Sequence, residues 1–151
     1  MSDAKDYLMK IRLYDARIEN GLQELSALED MVKRITPVLK QDVVSSSGSQ
    51  DKLGDTVAKI ADLRDQINRD VDAFVDLKKE AAAKLARLEN SEHFKVLYMR
   101  YFSYYTFEKI ATEMDYSIRN IWRIHGRALQ AFEKILITSG CDMNESRVDR
   151  C

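Results

Sequence analysis

Proline and glycine are scarce in this 151-residue chain: one Pro and five Gly stand among 24 Lys+Arg and 25 Asp+Glu. Sheet-rich folds place these two residues at most of their reversals, so their scarcity, beside 32% charged residues, points to long helices and an all-α fold. Cysteine is almost absent too. Cys141 and Cys151 lie late in the chain, with no CxxC spacing and no histidine pair nearby, so neither a disulfide framework nor a zinc site is expected, and a reducing cytoplasm suits the thiols. No apolar run approaches the roughly 20 residues that span a bilayer, and the opening MSDAKDYLMK lacks the basic-then-apolar order of a signal peptide. The expectation is a soluble cytoplasmic protein with no membrane partner.

Net charge is missing as well. A balance of −1 argues against a protein that coats nucleic acid indiscriminately, but the mean conceals a local excess. Residues 1–90 hold 15 Lys+Arg against 17 Asp+Glu, whereas 117–134 hold four basic residues, Arg119, Arg123, Arg127 and Lys134, against Glu133 alone. Catalytic equipment is lacking: there is no glycine-rich phosphate loop, no histidine-based metal constellation, and no Ser, Cys or Thr nucleophile with a base at hand. The carboxylates interleave with Lys and Arg, as on solvated helix faces. No enzyme activity, cofactor, catalytic residue or metal ligand is expected.

What the chain does have is periodicity. Ile11, Ile18, Leu25 and Val32 recur every seven residues, with Tyr7, Tyr14, Leu28 and Ile35 at the alternate seam positions. Gly21 breaks that seam, and Leu22 beside it is the candidate to supply the missing apolar group. A second helix repeats the pattern through Leu53, Ile60, Ile67, Phe74, Ala81 and Leu88, with Val57, Val71 and Leu85 interleaved. Arg64 and Lys78 interrupt it, each preceded by an apolar residue, Leu63 and Leu77, so that the seam can shift sideways under their stems. Pro37 is expected to end or kink the first helix, and Ser45 to Ser49 to form a flexible connection. Two tethered amphipathic helices of similar length bury their stripes most simply as an antiparallel, coiled-coil-like hairpin over residues 1–90. A hairpin of two helices leaves apolar surface wet, so a homodimer through these N-terminal helices is a natural completion of the core.

A smaller domain is expected over 91–138. Asn90 and Ser91 can cap a helix carrying Phe94, Leu97, Tyr98 and Tyr101, and the tyrosines through Tyr104 and Tyr105 read as packing around a small core. Thr106 caps a short helix with Phe107, Ile110, Ala111 and Met114 turned inward; a break follows at Asp115 and Tyr116, and Ser117 caps the next helix. In that last helix Ile121, Ile124, Ala128, Phe132 and Ile135 form one apolar stripe. Arg119, Arg123, Arg127, Gln130 and Lys134 point within roughly 60° of directly away from it. This is the pattern of a helix-turn-helix whose second helix faces DNA. Ala111 occupies the crossing, where a larger side chain does not fit, and Asp115 tolerates the left-handed backbone that the turn requires. Trp122 sits at the boundary between packing and exposure, Gly126 on the outward face, and His125 at the edge of the stripe as a partly buried structural histidine. The helix is expected to stop after Thr138, Ser139 and Gly140, leaving 139–151 as a disordered tail.

The sequence IATEMDYS, with Ile121 and then Arg127, Ala128 and Leu129, aligns without gaps on region four of bacterial sigma factors, and MRYFSYYTFEKIA resembles the lead-in to that region. About 45 residues carry the resemblance. The whole layout, a long helical half followed by a sigma-like module, resembles phage-encoded late transcriptional regulators of the ArpU and RinA type. That resemblance implies a cytoplasmic activator of phage or prophage genes acting on double-stranded DNA with RNA polymerase as a further partner. It places Arg119, Asn120, Trp122 and Arg123 nearest the bases, within a DNA-binding set completed by Ser117, Ile118, Arg127 and Lys134. Two other readings fit the same pattern. A structural DNA-packaging protein resembling a small terminase subunit also joins such a motif to an oligomerising helical region, and a sigma-like module can occupy RNA polymerase without touching DNA.

Overall fold

The computed structural model describes residues 3–41 and 47–144, with side chains over 3–37 and 51–140. Among these residues the chain is all-α: α1 (Asp3–Gln41), α2 (Ser47–Leu85), α3 (Ser91–Tyr101), α4 (Phe107–Met114) and α5 (Ile118–Asn144). Among the described residues no helix is long and apolar enough to cross a membrane. The chain divides into two compact units, Tyr14–Phe74 and a second made of Met1–Leu13 with Val75–Cys151.

Within Tyr14–Phe74 the two long helices run antiparallel, with Gly21 against Ile67 and Glu29 paired to Arg64 at 2.6 Å. The first helix follows its heptads as expected: Tyr14, Ile18, Leu25, Leu28, Val32 and Ile35 are all partly buried. Gly21 is not a gap that Leu22 repairs. Leu22 is 50% exposed, and a Cβ built on Gly21 would stand 2.9 Å from Cγ1 of Ile67, so the missing side chain is what admits the neighbouring helix. Gly21→Leu should therefore destabilise this unit by about 1–3 kcal/mol, although leucine is the better helix former, because Cγ1 lies mid-chain in a buried isoleucine and cannot swing aside. A urea-denaturation midpoint equal to or above that of the parent chain would contradict this packing.

On α2 the interleaved seam differs from expectation. Val57 and Val71 are 50% and 37% exposed, whereas Thr56 is buried and Leu63 and Asp70 are partly buried. The contact stripe keeps three-then-four spacing, so the residue three beyond each of Leu53, Ile60 and Ile67 faces inward and the one four beyond turns away. Thr56 accommodates this by donating its hydroxyl to Lys52 O at 2.7 Å. Pro37 does not end α1, which continues to Gln41. Proline removes one N–H from the ladder, but Val32, Ile35 and Thr36 on the preceding turn stay partly buried and keep the helix in its seam. Ser47 to Ser49 belong to α2 rather than to a linker, since elongating an established helix costs little; Ser45 and Ser46 lie outside the described residues.

The second unit joins the first turns of α1 and the last turns of α2 to α3, α4 and α5. Tyr7 meets Phe132 with ring centroids 5.9 Å apart, Arg12 lies over Tyr104, and Lys78 lies over Phe102. Ala4, Leu8, Ile11, Ala81 and Leu85 are buried here along with Phe132. The compact unit includes residues before 90, because two short helices, α3 and α4, cannot by themselves cover α5 as far as Phe132. Helix α5 also outruns its expected stop: it passes Gly140 and reaches Asn144, so 141–144 are helical rather than tail. Residues 145–151, Cys151 included, and the side chain of Cys141 lie outside the described residues.

Candidate nucleic-acid interface

The corner between α4 and α5 is built from local chemistry. Thr106 caps α4, its Oγ1 accepting from Lys109 N at 3.2 Å. Asp115 closes the helix at φ 57° and ψ 44°, in the left-handed region that short polar side chains tolerate. Tyr116 N donates to Ala111 O at 2.9 Å and Asp115 N to Thr112 O at 3.3 Å, the paired bonds of a Schellman motif. Ser117 then caps α5, its Oγ accepting from Asn120 N at 3.1 Å. Tyr116 also donates its hydroxyl to Glu92 on α3, which tethers the turn, and that bond raises the phenol's pKa.

Beneath the corner lies a core of Val96, Ile110, Ala111, Ile121 and Ile124, flanked by Met99, Tyr105, Phe107 and Met114. Ala111 is buried where the short helix meets α5, as the crossing demands. Val96 was not singled out by the spacing of Phe94, Leu97, Tyr98 and Tyr101, yet it is fully buried, while Tyr98 is exposed and stacks its ring between Phe94 and Phe102.

Ile121, Ile124, Ala128 and Phe132 are buried, so α5 is held with its opposite face in solvent. Arg119, Arg123, Arg127 and Lys134 are exposed, as are Ser117 and Ile118; Asn120 is partly buried. Trp122 is 57% exposed, which settles the boundary position in favour of solvent. Ser117, Arg119, Asn120 and Arg123 line one surface depression at the start of α5. Arg123 is not wholly loose, since its Nη2 donates to Asn120 Oδ1 at 2.7 Å. A Cβ built on Gly126 would meet nothing within 4 Å, so this outward position is sterically open. Lys134 is not gathered into the site. It stands 11 residues and roughly 17 Å farther along α5 and lines a separate depression with Arg87, His93 and Ile135.

His125, expected at the edge of the stripe as a partly buried structural histidine, is partly buried, but the spacing did not show its partners. His125 packs edge-on against Phe107 at 5.0 Å, and its Nε2 meets the Tyr101 hydroxyl at 2.9 Å, with the imidazole tautomer deciding which group donates. Arg100 lies over Phe107 at 4.3 Å and donates to Tyr105 O at 3.0 Å. Burial, then the charges of Arg100 and Lys5, lower the His125 pKa to about 4, and burial raises that of Tyr101 to about 12. Histidine is thus neutral when folded and protonates near its usual 6.5 when unfolded. The unfolded chain binds the extra proton between these values, so this contribution to stability is complete above pH 6.5 and is lost as pH falls toward 4. The difference in unfolding free energy between the parent chain and His125→Gln should shrink over that interval. A pH-independent difference would contradict a neutral buried imidazole.

Among the described residues no three His, Cys, Asp or Glu side chains converge as a metal group would require. No curated protein and no solved structure matches the chain. A family model matches residues 34–133, which take in the α4–α5 corner and the basic face through Arg127 and stop just before Lys134; by it the chain belongs to the family described as protein of unknown function (DUF1492).

Proposed function

We propose that this chain is a sequence-specific DNA-binding transcriptional regulator, of the phage or prophage kind that its sequence resembles, acting with RNA polymerase as a sigma region four module does. The observation that carries the reading is the corner at Asp115, which supports an α5 whose buried stripe leaves Arg119, Arg123 and Arg127 in solvent, the first two lining one depression. An exposed helix start with two guanidinium groups suits entry into a major groove, where base edges carry a distinct pattern of donors and acceptors. In this reading Arg119 and Arg123 face the bases, Trp122 reaches a sugar or a thymine methyl, and Arg127 takes a phosphate. Lys134 stands outside the proposed footprint. The role requires no catalysis and no cofactor.

So few phosphate contacts give one module modest, salt-sensitive affinity, and pairing of two copies or attachment to polymerase would supply the remainder. The test is selection of bound fragments from a library of the encoding genome. Enrichment upstream of one operon supports the regulator, and uniform recovery of all fragments opposes it. Solution mass separates the packaging reading, which requires a ring of roughly eight or more subunits rather than a monomer or dimer.

A further inference from the structure

We propose that Asn120 is a positioning residue that holds the Arg123 guanidinium for guanine, so that guanine is the base that Arg123 reads; this rests on the DNA-reading proposal above. The two residues are three apart on α5, which places their side chains on one edge of the helix. Asn120 Oδ1 accepts from Arg123 Nη2 at 2.7 Å, and both line the depression that also holds Arg119. The anchor is itself anchored. Asn120 is partly buried, and its backbone N–H donates to Ser117 Oγ at 3.1 Å, so the acceptor sits on the capped first turn rather than on a loose surface position.

Guanidinium carries five donors in a fixed fork. One Nη2 hydrogen is engaged by Asn120, which leaves the other Nη2 hydrogen beside one of Nη1 or Nε as a parallel pair of donors. That pair matches the O6 and N7 acceptors of guanine in the major groove, and no other base offers two acceptors side by side there. Arginine otherwise loses much rotamer freedom when it docks, and holding it beforehand removes part of that cost from the bound state. Bidentate recognition of adenine by Asn120 would draw Oδ1 away from Arg123, so the hydrogen bond favours the guanine assignment. Among the described residues Arg119 has no hydrogen-bond or ion-pair partner and adjusts to the bound duplex.

Competition titrations with the highest-affinity duplex from the genomic selection, each base pair varied in turn, test this with the full chain and with Asn120→Ala, Asn120→Asp and Arg123→Ala. Arg123→Ala should abolish a guanine preference at one position. Asn120→Ala should keep the parent's melting temperature while losing about fivefold of discrimination at that same position, the order expected for freeing one long side chain. Asn120→Asp keeps the acceptor, so it should retain the guanine preference with weaker binding to every duplex from its added negative charge. Undiminished guanine discrimination in Asn120→Ala would overturn the proposal, as would loss at an adenine distinct from the position that Arg123 reads. Absence of duplex binding by the parent chain would instead overturn the DNA-reading proposal, and this inference with it.

Discussion

Phe132→Ala is expected to cost about 3–5 kcal/mol of unfolding free energy, the range for removing a buried aromatic ring and leaving a cavity. Phe132 is fully buried, and its ring lies 5.9 Å from that of Tyr7. Its loss removes the ring that joins the first turns of α1 to α5 and leaves a cavity beside Tyr7. Natural domains carry only about 5–15 kcal/mol in total, so the variant should unfold at markedly lower urea concentration. A loss under about 1 kcal/mol would mean that α1 does not contribute to this core.

The second large effect concerns binding. Arg119→Ala with Arg123→Ala should leave the fold intact, since both side chains are exposed and neither touches the buried stripe. Each outward guanidinium that contacts a base edge contributes about 1–3 kcal/mol of discrimination, so the double variant should lose roughly 100-fold or more in affinity for the preferred duplex. Affinity for unrelated duplexes should fall much less, because in the proposed reading Arg127 and the cap of α5 supply phosphate contacts. Equal losses on all sequences would reassign both arginines to the phosphate backbone.

Much of this arrangement can be read from residue order because it rests on short-range chemistry. Asp115 marks the corner since few residues accept a left-handed backbone, and Thr106, Ser117 and Asn90 mark helix starts since their side chains bond the first free N–H groups. The outward aim of Arg119 and Arg123 follows from 100° per residue once Ile121 is placed inside. What escapes is decided between distant segments. Gly21 reads as a defect until Ile67 stands beside it, and Val57 reads as seam until Thr56 takes the inward position. Pro37 reads as a helix end or kink and Gly140 as a stop, yet α1 and α5 run past them, since existing turns make each further residue inexpensive to add. The packing of Tyr7 on Phe132 joins residues more than a hundred positions apart, which no periodicity reports. Asn120 and Arg123 are an intermediate case: their spacing was visible, but the choice of each other over solvent was not.

The central claim is that the start of α5 reads duplex DNA through its outward arginines. Its most direct measurement is a fluorescence-anisotropy titration of the full chain and the Arg119→Ala, Arg123→Ala double variant, on a selected duplex and a scrambled one, at low and moderate salt. The account requires preference for the selected duplex, weakening as salt rises, and collapse of that preference in a double variant that still melts like the parent. Indistinguishable curves for the two proteins, or no binding to either duplex, would contradict it.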